Sequence, residues 1–123
     1  MNHYYSNNTN LEHEFQNFTF TLKGKQFKFT TDSGVFSKAT IDYGSRVLID
    51  TFSAENLPSG PLLDVGCGYG PIGLSLAYAW QREVEMVDVN ERALALAQKN
   101  ADQNQIENVD VHLSNIYENV HQK

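Results

Sequence analysis

Apolar and polar residues alternate along the first part of the chain that has a clear structural pattern. Apolar side chains occupy every second position over Phe18–Leu22 and again over Phe27–Phe29, and Lys23 and Gly24 separate the two runs. A short turn with glycine between two alternating runs is typical of a β-hairpin. The pattern therefore predicts a hairpin with one apolar face.

A helix is predicted after the hairpin. Either Asp42 or Ser45 can cap its first turn, because both side chains accept hydrogen bonds from backbone amides. Val47, Leu48 and Phe52 recur at helical spacing. The helix is expected to end before Pro58.

The rest of the chain alternates apolar runs with helical periods. The apolar runs are Leu62–Val65, Val84–Val89 and Val109–Leu113, and the helical segments between them begin at Pro71 and Glu91. Strand, helix, strand, helix, strand implies a parallel sheet with right-handed crossovers. The predicted fold class is α/β, preceded by the hairpin and its helix.

Composition limits the domain count and the partners. The 123 residues, 41% of them hydrophobic, fit one domain with a modest core. Residues 1–14 are rich in asparagine and predict a polar, flexible arm, which leaves 15–123 as the domain. The net charge of −6 gives no general attraction to RNA, so an RNA substrate would need a local basic patch or another segment.

The remaining composition signals concern location, membranes and metals. A single cysteine allows no internal disulfide and suits a reducing cytoplasm. No run is long and apolar enough to predict a membrane span. The four histidines show no metal-ligand spacing, so no metal is predicted.

The most informative stretch follows the first predicted strand of the parallel sheet. Four of the eight glycines fall between positions 66 and 73. Glycine lets backbone amides approach a ligand closely and lets a turn visit positive φ. Pro71 suits the first turn of the next helix, whose free amides face the same ligand. We therefore predict a ligand-binding loop, with Gly73 also permitting close helix–sheet packing.

Two acidic residues bear on the nature of the ligand. Gly68, Gly70 and Gly73 fit the dinucleotide fingerprint, but a carboxylate at Asp64 would repel a pyrophosphate. It favours a ligand with an ammonium and a sulfonium, such as S-adenosylmethionine. Asp88 lies about twenty residues beyond the glycines, where it either binds ribose hydroxyls or helps to start the next helix. S-adenosylmethionine is preferred, and NAD remains the alternative.

The glycine loop and the segment around Asp88 resemble those of a known family. Residues 62–77 and 87–97 resemble class I S-adenosylmethionine-dependent methyltransferases. The segments 31–37 and 41–45 narrow the resemblance to the "methyltransferase small" family, which includes guanine-N2 methyltransferases of small-subunit ribosomal RNA. The resemblance implies a three-layer Rossmann-like fold, S-adenosylmethionine as cofactor and methylation of an exocyclic amine in RNA.

The resemblance also assigns cofactor contacts residue by residue. Asp88 would hold the ribose, and Asn115 stands where the family typically has an acid near the adenine amino group. An amide accepts from that group through its oxygen but adds no charge. The residues around the methionine part would be Asp64, Gly66, Gly68 and Gly70.

One family motif has no counterpart. Enzymes of this family that methylate exocyclic amines carry an Asn-Pro-Pro-type motif that grips the target amine. The prolines here follow Leu57, Gly60 and Gly70, so no such motif exists and no catalytic residue is predicted. We expect either a methyltransferase that lacks its substrate-gripping part or a non-enzymatic cofactor-binding fragment.

The same comparison predicts an incomplete sheet. In the family, the first strand of the parallel sheet lies in its middle, beside a fourth strand that this chain lacks. Leu62–Val65 is therefore expected to form an open apolar edge, and such an edge favours self-association.

Overall fold

The computed structural model describes residues 13–34 and 41–114. Within these residues, eight elements follow one another in the predicted order, so the α/β fold class is confirmed. The elements are β1 (Phe15–Leu22), β2 (Lys25–Asp32), α1 (Tyr43–Thr51), β3 (Leu62–Val65), α2 (Pro71–Trp80), β4 (Val84–Asp88), α3 (Glu91–Gln103) and β5 (Val109–Leu113).

Strands β1 and β2 form the predicted antiparallel hairpin. Lys23 and Gly24 both have positive φ, 53° and 82°, which is the backbone that a two-residue hairpin turn with matching twist requires. Phe27 and Phe29 are fully buried, so the apolar face of the hairpin packs against the rest of the molecule. The hairpin prediction is confirmed.

Strands β3, β4 and β5 form a parallel three-stranded sheet in that order. One hydrophobic cluster joins this sheet to α2, α3 and the hairpin, with Phe29, Leu74, Met86 and Ala97 at its centre. Helix α2 approaches the sheet closely at Gly73, where a Cβ atom would lie 2.8 Å from Met86 Cγ. The predicted packing role of this glycine is confirmed.

Helix α1 corrects part of the sequence analysis. Asp42, and not Ser45, is the N-cap, and its carboxylate accepts from the Ser45 amide at 3.0 Å. Val47 and Leu48 are 39% and 46% exposed, whereas Ile49 is fully buried. Three successive apolar residues point in directions about 100° apart, so only one of them faces the core. Val47 and Leu48 therefore point away from the core, although they recur at helical spacing.

Strand β3 lies at one edge of the described sheet. Its alternate residues Leu63 and Val65 are 61% and 64% exposed, so one face of the described sheet is open to solvent here, and association through the strand edge stays a prediction. The three helices between residues 43 and 103 are all too short or too polar to cross a membrane.

Candidate cofactor-binding site

The glycine loop, residues 66–70, joins β3 to α2 at the carboxyl ends of the parallel strands. The amides of Gly66 and Cys67 both donate to the Val87 carbonyl, at 2.8 and 2.9 Å. Gly66 and Gly70 have φ of +70° and +110°, a backbone that other residues adopt at a cost. A Cβ atom on Gly66 would meet no atom within 4 Å, so open space lies beside the loop. These features fit a ligand that approaches the backbone.

Asp64 is partly buried in β3, directly before this loop. Its Oδ2 atom is buried without a hydrogen-bond partner and lies 2.9 Å from the position that a Cβ atom of Gly73 would take. Burial raises the pKa of the Asp64 carboxyl to about 6; the Gly73 amide opposes this shift, and the charge of Asp88 adds to it. None of the ion pairs of the described residues includes Asp64, so only the Gly73 amide offsets its charge, and a cationic ligand at the loop would compensate it.

Asp88, at the end of β4, joins the glycine loop to α3. Its Oδ2 accepts from the Gly68 amide and its Oδ1 from the Asn90 amide, both at 2.9 Å. Asn90 in turn caps α3 by accepting from the Arg92 amide at 2.8 Å. The structure therefore supports the helix-starting role of Asp88. Because each carboxylate oxygen has two lone pairs, the same side chain retains acceptors for ribose hydroxyls.

The other ionisable side chains of the loop, Cys67 and Tyr69, stay protonated near neutral pH. Burial, followed by the charges of Asp64 and Asp88, raises the pKa of the Cys67 thiol to about 12. Burial, with a smaller effect of Asp42, raises the pKa of the Tyr69 hydroxyl to about 12. Both groups therefore stay neutral near pH 7 and serve neither as nucleophile nor as base. The arrangement suits binding and positioning.

The structure brings five of the six predicted site residues to one edge of the sheet. Asn115 lies outside the described residues, so its adenine contact stays a prediction. The five are Asp64, Gly66, Gly68, Gly70 and Asp88. Their individual contacts with a cofactor also stay predictions.

Sequence reasoning missed a buried carboxylate on the other side of α3. Asp32 is 1% exposed, and its Oδ2 is 3.0 Å from Arg92 Nη2 and 2.6 Å from His13 Nδ1. Its Oδ1 accepts from the amides of Glu14 and Gly34, both at 2.9 Å. Burial alone would raise the pKa of Asp32, but these hydrogen bonds outweigh burial and hold it well below its usual value.

A second missed residue is Asn100, whose buried side chain donates to the Tyr69 carbonyl in the glycine loop at 2.8 Å. The available signal was a polar residue within the apolar stripe of α3, between Ala97 and Ala101. Such a residue is buried only when its hydrogen bonds are satisfied, but the sequence does not identify the partners.

Comparisons with known proteins extend this local picture. The family model described as the methyltransferase small domain matches residues 26–123. The uncharacterized protein YbxB of Bacillus subtilis is 51% identical over 119 residues, which cover 96% of this chain and 59% of that protein. Ribosomal RNA small subunit methyltransferase C of Vibrio parahaemolyticus is 38% identical over 96 residues, 77% of this chain and 27% of that protein.

Two solved structures are also similar. The 16S rRNA N2 G1207 methyltransferase RsmC of T. thermophilus, in complex with AdoMet and guanosine, has a TM-score of 0.73 at 27% identity. The match covers 86% of this chain and 29% of that one. TYW2 of M. jannaschii, in complex with AdoMet, has a TM-score of 0.61 at 18% identity and supports the fold alone.

The chain thus spans 59% of YbxB and less than a third of the two ribosomal RNA methyltransferases. The matches confirm the Rossmann-like fold class and S-adenosylmethionine as the cofactor of the family, and they decide against the NAD alternative. On these grounds, this chain belongs to the methyltransferase small domain family.

Proposed function

We propose that this chain binds S-adenosylmethionine at the glycine loop and serves in methyl transfer to an exocyclic amine of guanine in ribosomal RNA. The observation that carries the cofactor assignment is Asp64, whose buried Oδ2 has no partner within the described residues. A ligand with an ammonium and a sulfonium supplies the positive charge that this carboxyl lacks.

Three parts of the cofactor have a matching group in the chain: its ammonium, its ribose hydroxyls and its amino-acid carboxylate. The carboxylate of Asp64 attracts the ammonium, and Asp88 accepts from the ribose hydroxyls. The positive N-terminal end of α2 would attract the amino-acid carboxylate, although Pro71 offers no amide and the Gly73 amide already acts on Asp64. Together these groups hold the donor in one orientation, which is the main contribution that methyl transfer requires from a protein.

The chemistry itself belongs to the donor. When bound, S-adenosylmethionine supplies an activated methyl group: the amine nitrogen bonds to the methyl carbon, the carbon–sulfur bond breaks, and the amine loses a proton to solvent. Because Cys67 and Tyr69 stay neutral, neither residue is assigned a proton-transfer role. We assign no catalytic residue to this chain.

The RNA substrate is proposed from the relatives. The Vibrio protein is named as a ribosomal RNA methyltransferase, and the T. thermophilus structure contains guanosine. The net charge of −6 offers no general attraction to RNA. Guanine recognition by this chain must therefore be tested separately from cofactor binding.

A cytoplasmic location follows as a prediction from the single cysteine and the proposed ribosomal RNA substrate.

Calorimetric titration with S-adenosylhomocysteine and with NADH tests the cofactor assignment. We expect S-adenosylhomocysteine to bind and NADH to show no binding; preference for NADH would overturn it. Transfer of labelled methyl from the donor to ribosomal RNA tests the activity. Binding without transfer favours the alternative of a non-enzymatic cofactor-binding fragment.

We also propose that β3 mediates association with a second copy of the chain. In a parallel ladder, alternate residues direct their backbone groups away from the paired strand, so Leu63 and Val65 present backbone groups at the open edge. Light scattering after size-exclusion chromatography measures the assembly. We expect dimers or larger species that Leu63→Lys disrupts, and a wild-type monomer would contradict the proposal.

A further inference from the structure

Asn100 contacts both the N-terminal hairpin and the glycine loop. Its side chain is fully buried on α3. Oδ1 accepts from the Thr30 amide at 2.8 Å, and Nδ2 donates to the Thr30 carbonyl at 3.0 Å and to the Tyr69 carbonyl at 2.8 Å. Gln103 Nε2 donates to the same Oδ1 at 2.8 Å. Both hydrogens of the Asn100 amide are thus in use.

Asn104 makes the same strand contact one helical turn later. Its Oδ1 accepts from the Lys28 amide and its Nδ2 donates to the Lys28 carbonyl, both at 2.8 Å. Residues 28 and 30 are about 6.6 Å apart along a strand, and residues 100 and 104 about 6 Å apart along a helix. The two asparagine side chains therefore match the hydrogen-bonding groups along the edge of β2 that faces α3.

The two asparagines differ in one respect. The second hydrogen of the Asn100 amide reaches the Tyr69 carbonyl, whereas that of Asn104 reaches the Asn100 carbonyl within α3, at 2.7 Å. Tyr69 stands between Gly68 and Gly70, both at positive φ. Glycines on both sides give this backbone other accessible conformations, and the bond from Asn100 favours the observed one.

We propose that Asn100 is a positioning residue through which the hairpin holds the glycine loop in its cofactor-binding conformation. This inference rests on the proposed function, in which the loop binds S-adenosylmethionine. Loss of the bond lowers the fraction of molecules with a competent loop, and the apparent affinity falls by the same factor. Asn104 stabilises the hairpin in the same way but does not contact the loop, so it provides a matched control.

The test compares Asn100→Ala with Asn104→Ala by calorimetric titration with S-adenosylhomocysteine. Both variants lose a buried amide that bonds β2, and both are expected to melt at lower temperature. At a temperature where both are folded, we expect Kd to rise about tenfold for Asn100→Ala and less than about twofold for Asn104→Ala. Equal changes in Kd would overturn the inference.

Hydrogen exchange separates this inference from the proposed function. The Gly68 amide donates to Asp88 and the Gly70 amide to the Cys67 carbonyl, so both report on the loop without any ligand. In the free protein, we expect Asn100→Ala to accelerate their exchange about tenfold and Asn104→Ala to leave it within about twofold. Failure of the wild type to bind would sink the proposed function, whereas unchanged exchange in Asn100→Ala would sink the positioning role.

A measurement on the wild type covers the case in which Asn100→Ala does not fold. In native-state exchange at low denaturant, the Thr30 and Gly70 amides are expected to open with the same free energy and denaturant dependence, because Asn100 joins their segments. Independent opening of Gly70 at much lower cost would contradict the coupling.

Discussion

Asp32 and Asp64 are two aspartates in strands of the same small domain, and their surroundings differ in one essential way. Asp32 has hydrogen-bond partners on three segments of the chain, whereas Asp64 has a buried oxygen with no partner in the described structure. The pKa of Asp32 lies well below its usual value, and that of Asp64 is raised to about 6. The Asp32 carboxylate is therefore paired with a cation, whereas no ion pair of the described residues includes Asp64. Unsatisfied groups of this kind concentrate at functional sites.

The largest expected effect is loss of stability on Asp32→Asn. The substitution removes the carboxylate charge that pairs with Arg92, whose side chain is 9% exposed. We expect the free energy of unfolding, measured by urea denaturation, to fall by about 3 kcal/mol or more. Asp50→Asn, an exposed change of the same charge, is the control and should change it by less than about 0.5 kcal/mol. A loss below about 1 kcal/mol at Asp32 would remove the contrast between the two aspartates.

Asp64→Asn should weaken cofactor binding without lowering stability, whereas Asp32→Asn should lower stability. We expect affinity for S-adenosylhomocysteine to fall about 10- to 100-fold, because a hydrogen bond to a charged group is lost. The free energy of unfolding at pH 8 should not fall, since the fold no longer buries a carboxylate without a partner. Calorimetry and urea denaturation measure the two quantities. Unchanged affinity, with Asp50→Asn as reference, would contradict the cofactor assignment.

The pH dependence of the two aspartates should also differ in sign. Because folding raises the pKa of Asp64 to about 6, its contribution to stability is best below pH 4 and falls by about 3 kcal/mol as pH rises through 6. The stabilisation by Asp32 is present above its ordinary pKa and is lost on acidification. Denaturation of wild type, Asp32→Asn and Asp64→Asn measures both slopes, that of Asp64 between about pH 4 and 7 and that of Asp32 below about pH 4.

Titration of Asp64 should also make ligand affinity depend on pH. The ammonium of S-adenosylhomocysteine pairs with the ionised Asp64, so affinity for this ligand should fall by up to about tenfold per pH unit below pH 6 and level off above pH 7. Asp64→Asn should remove this dependence. If the variant retains the wild-type profile, another group controls binding.

The sequence predicted those elements that are determined by residues close together along the chain. The hairpin follows from alternation around Lys23 and Gly24, and the glycine loop from its spacing after an apolar strand. Burial of Ile49 in place of Val47 and Leu48 was not predictable, because a run of apolar residues does not specify which one faces α2.

The missed residues share a different cause. The hydrogen-bond partners of Asp32 and Asn100 lie 60 and 70 residues away, at Arg92 and Thr30. No period or motif connects such positions in one sequence. The ligand-binding role of Asp64 could be predicted because the glycines that indicate it follow within a few residues.

The smallest expected effect concerns the exposed pair Glu85 and His112, on the face of the sheet away from α2. His112 Nε2 lies 2.5 Å from Glu85 Oε2, and donor atoms of Glu85, Asp110 and His112 lie within 4.8 Å of one another. The spacing of the histidines in the sequence did not predict this cluster. The hydrogen bond that His112 donates to the Glu85 carboxylate raises the pKa of His112, and burial opposes this shift.

Exposure limits what this pair contributes, in contrast to Asp32 with Arg92. The side chains of His112 and Glu85 are 40% and 43% exposed, so solvent screens their attraction, and we expect His112→Gln to lower the free energy of unfolding by less than about 1 kcal/mol. Because folding raises the pKa of His112, this contribution is complete below its ordinary pKa of about 6.5 and disappears as pH rises through the raised value. Urea denaturation at pH 5.5 and 9 measures it. A loss as large as that of Asp32→Asn would show that partner geometry, and not burial, separates the two ion pairs.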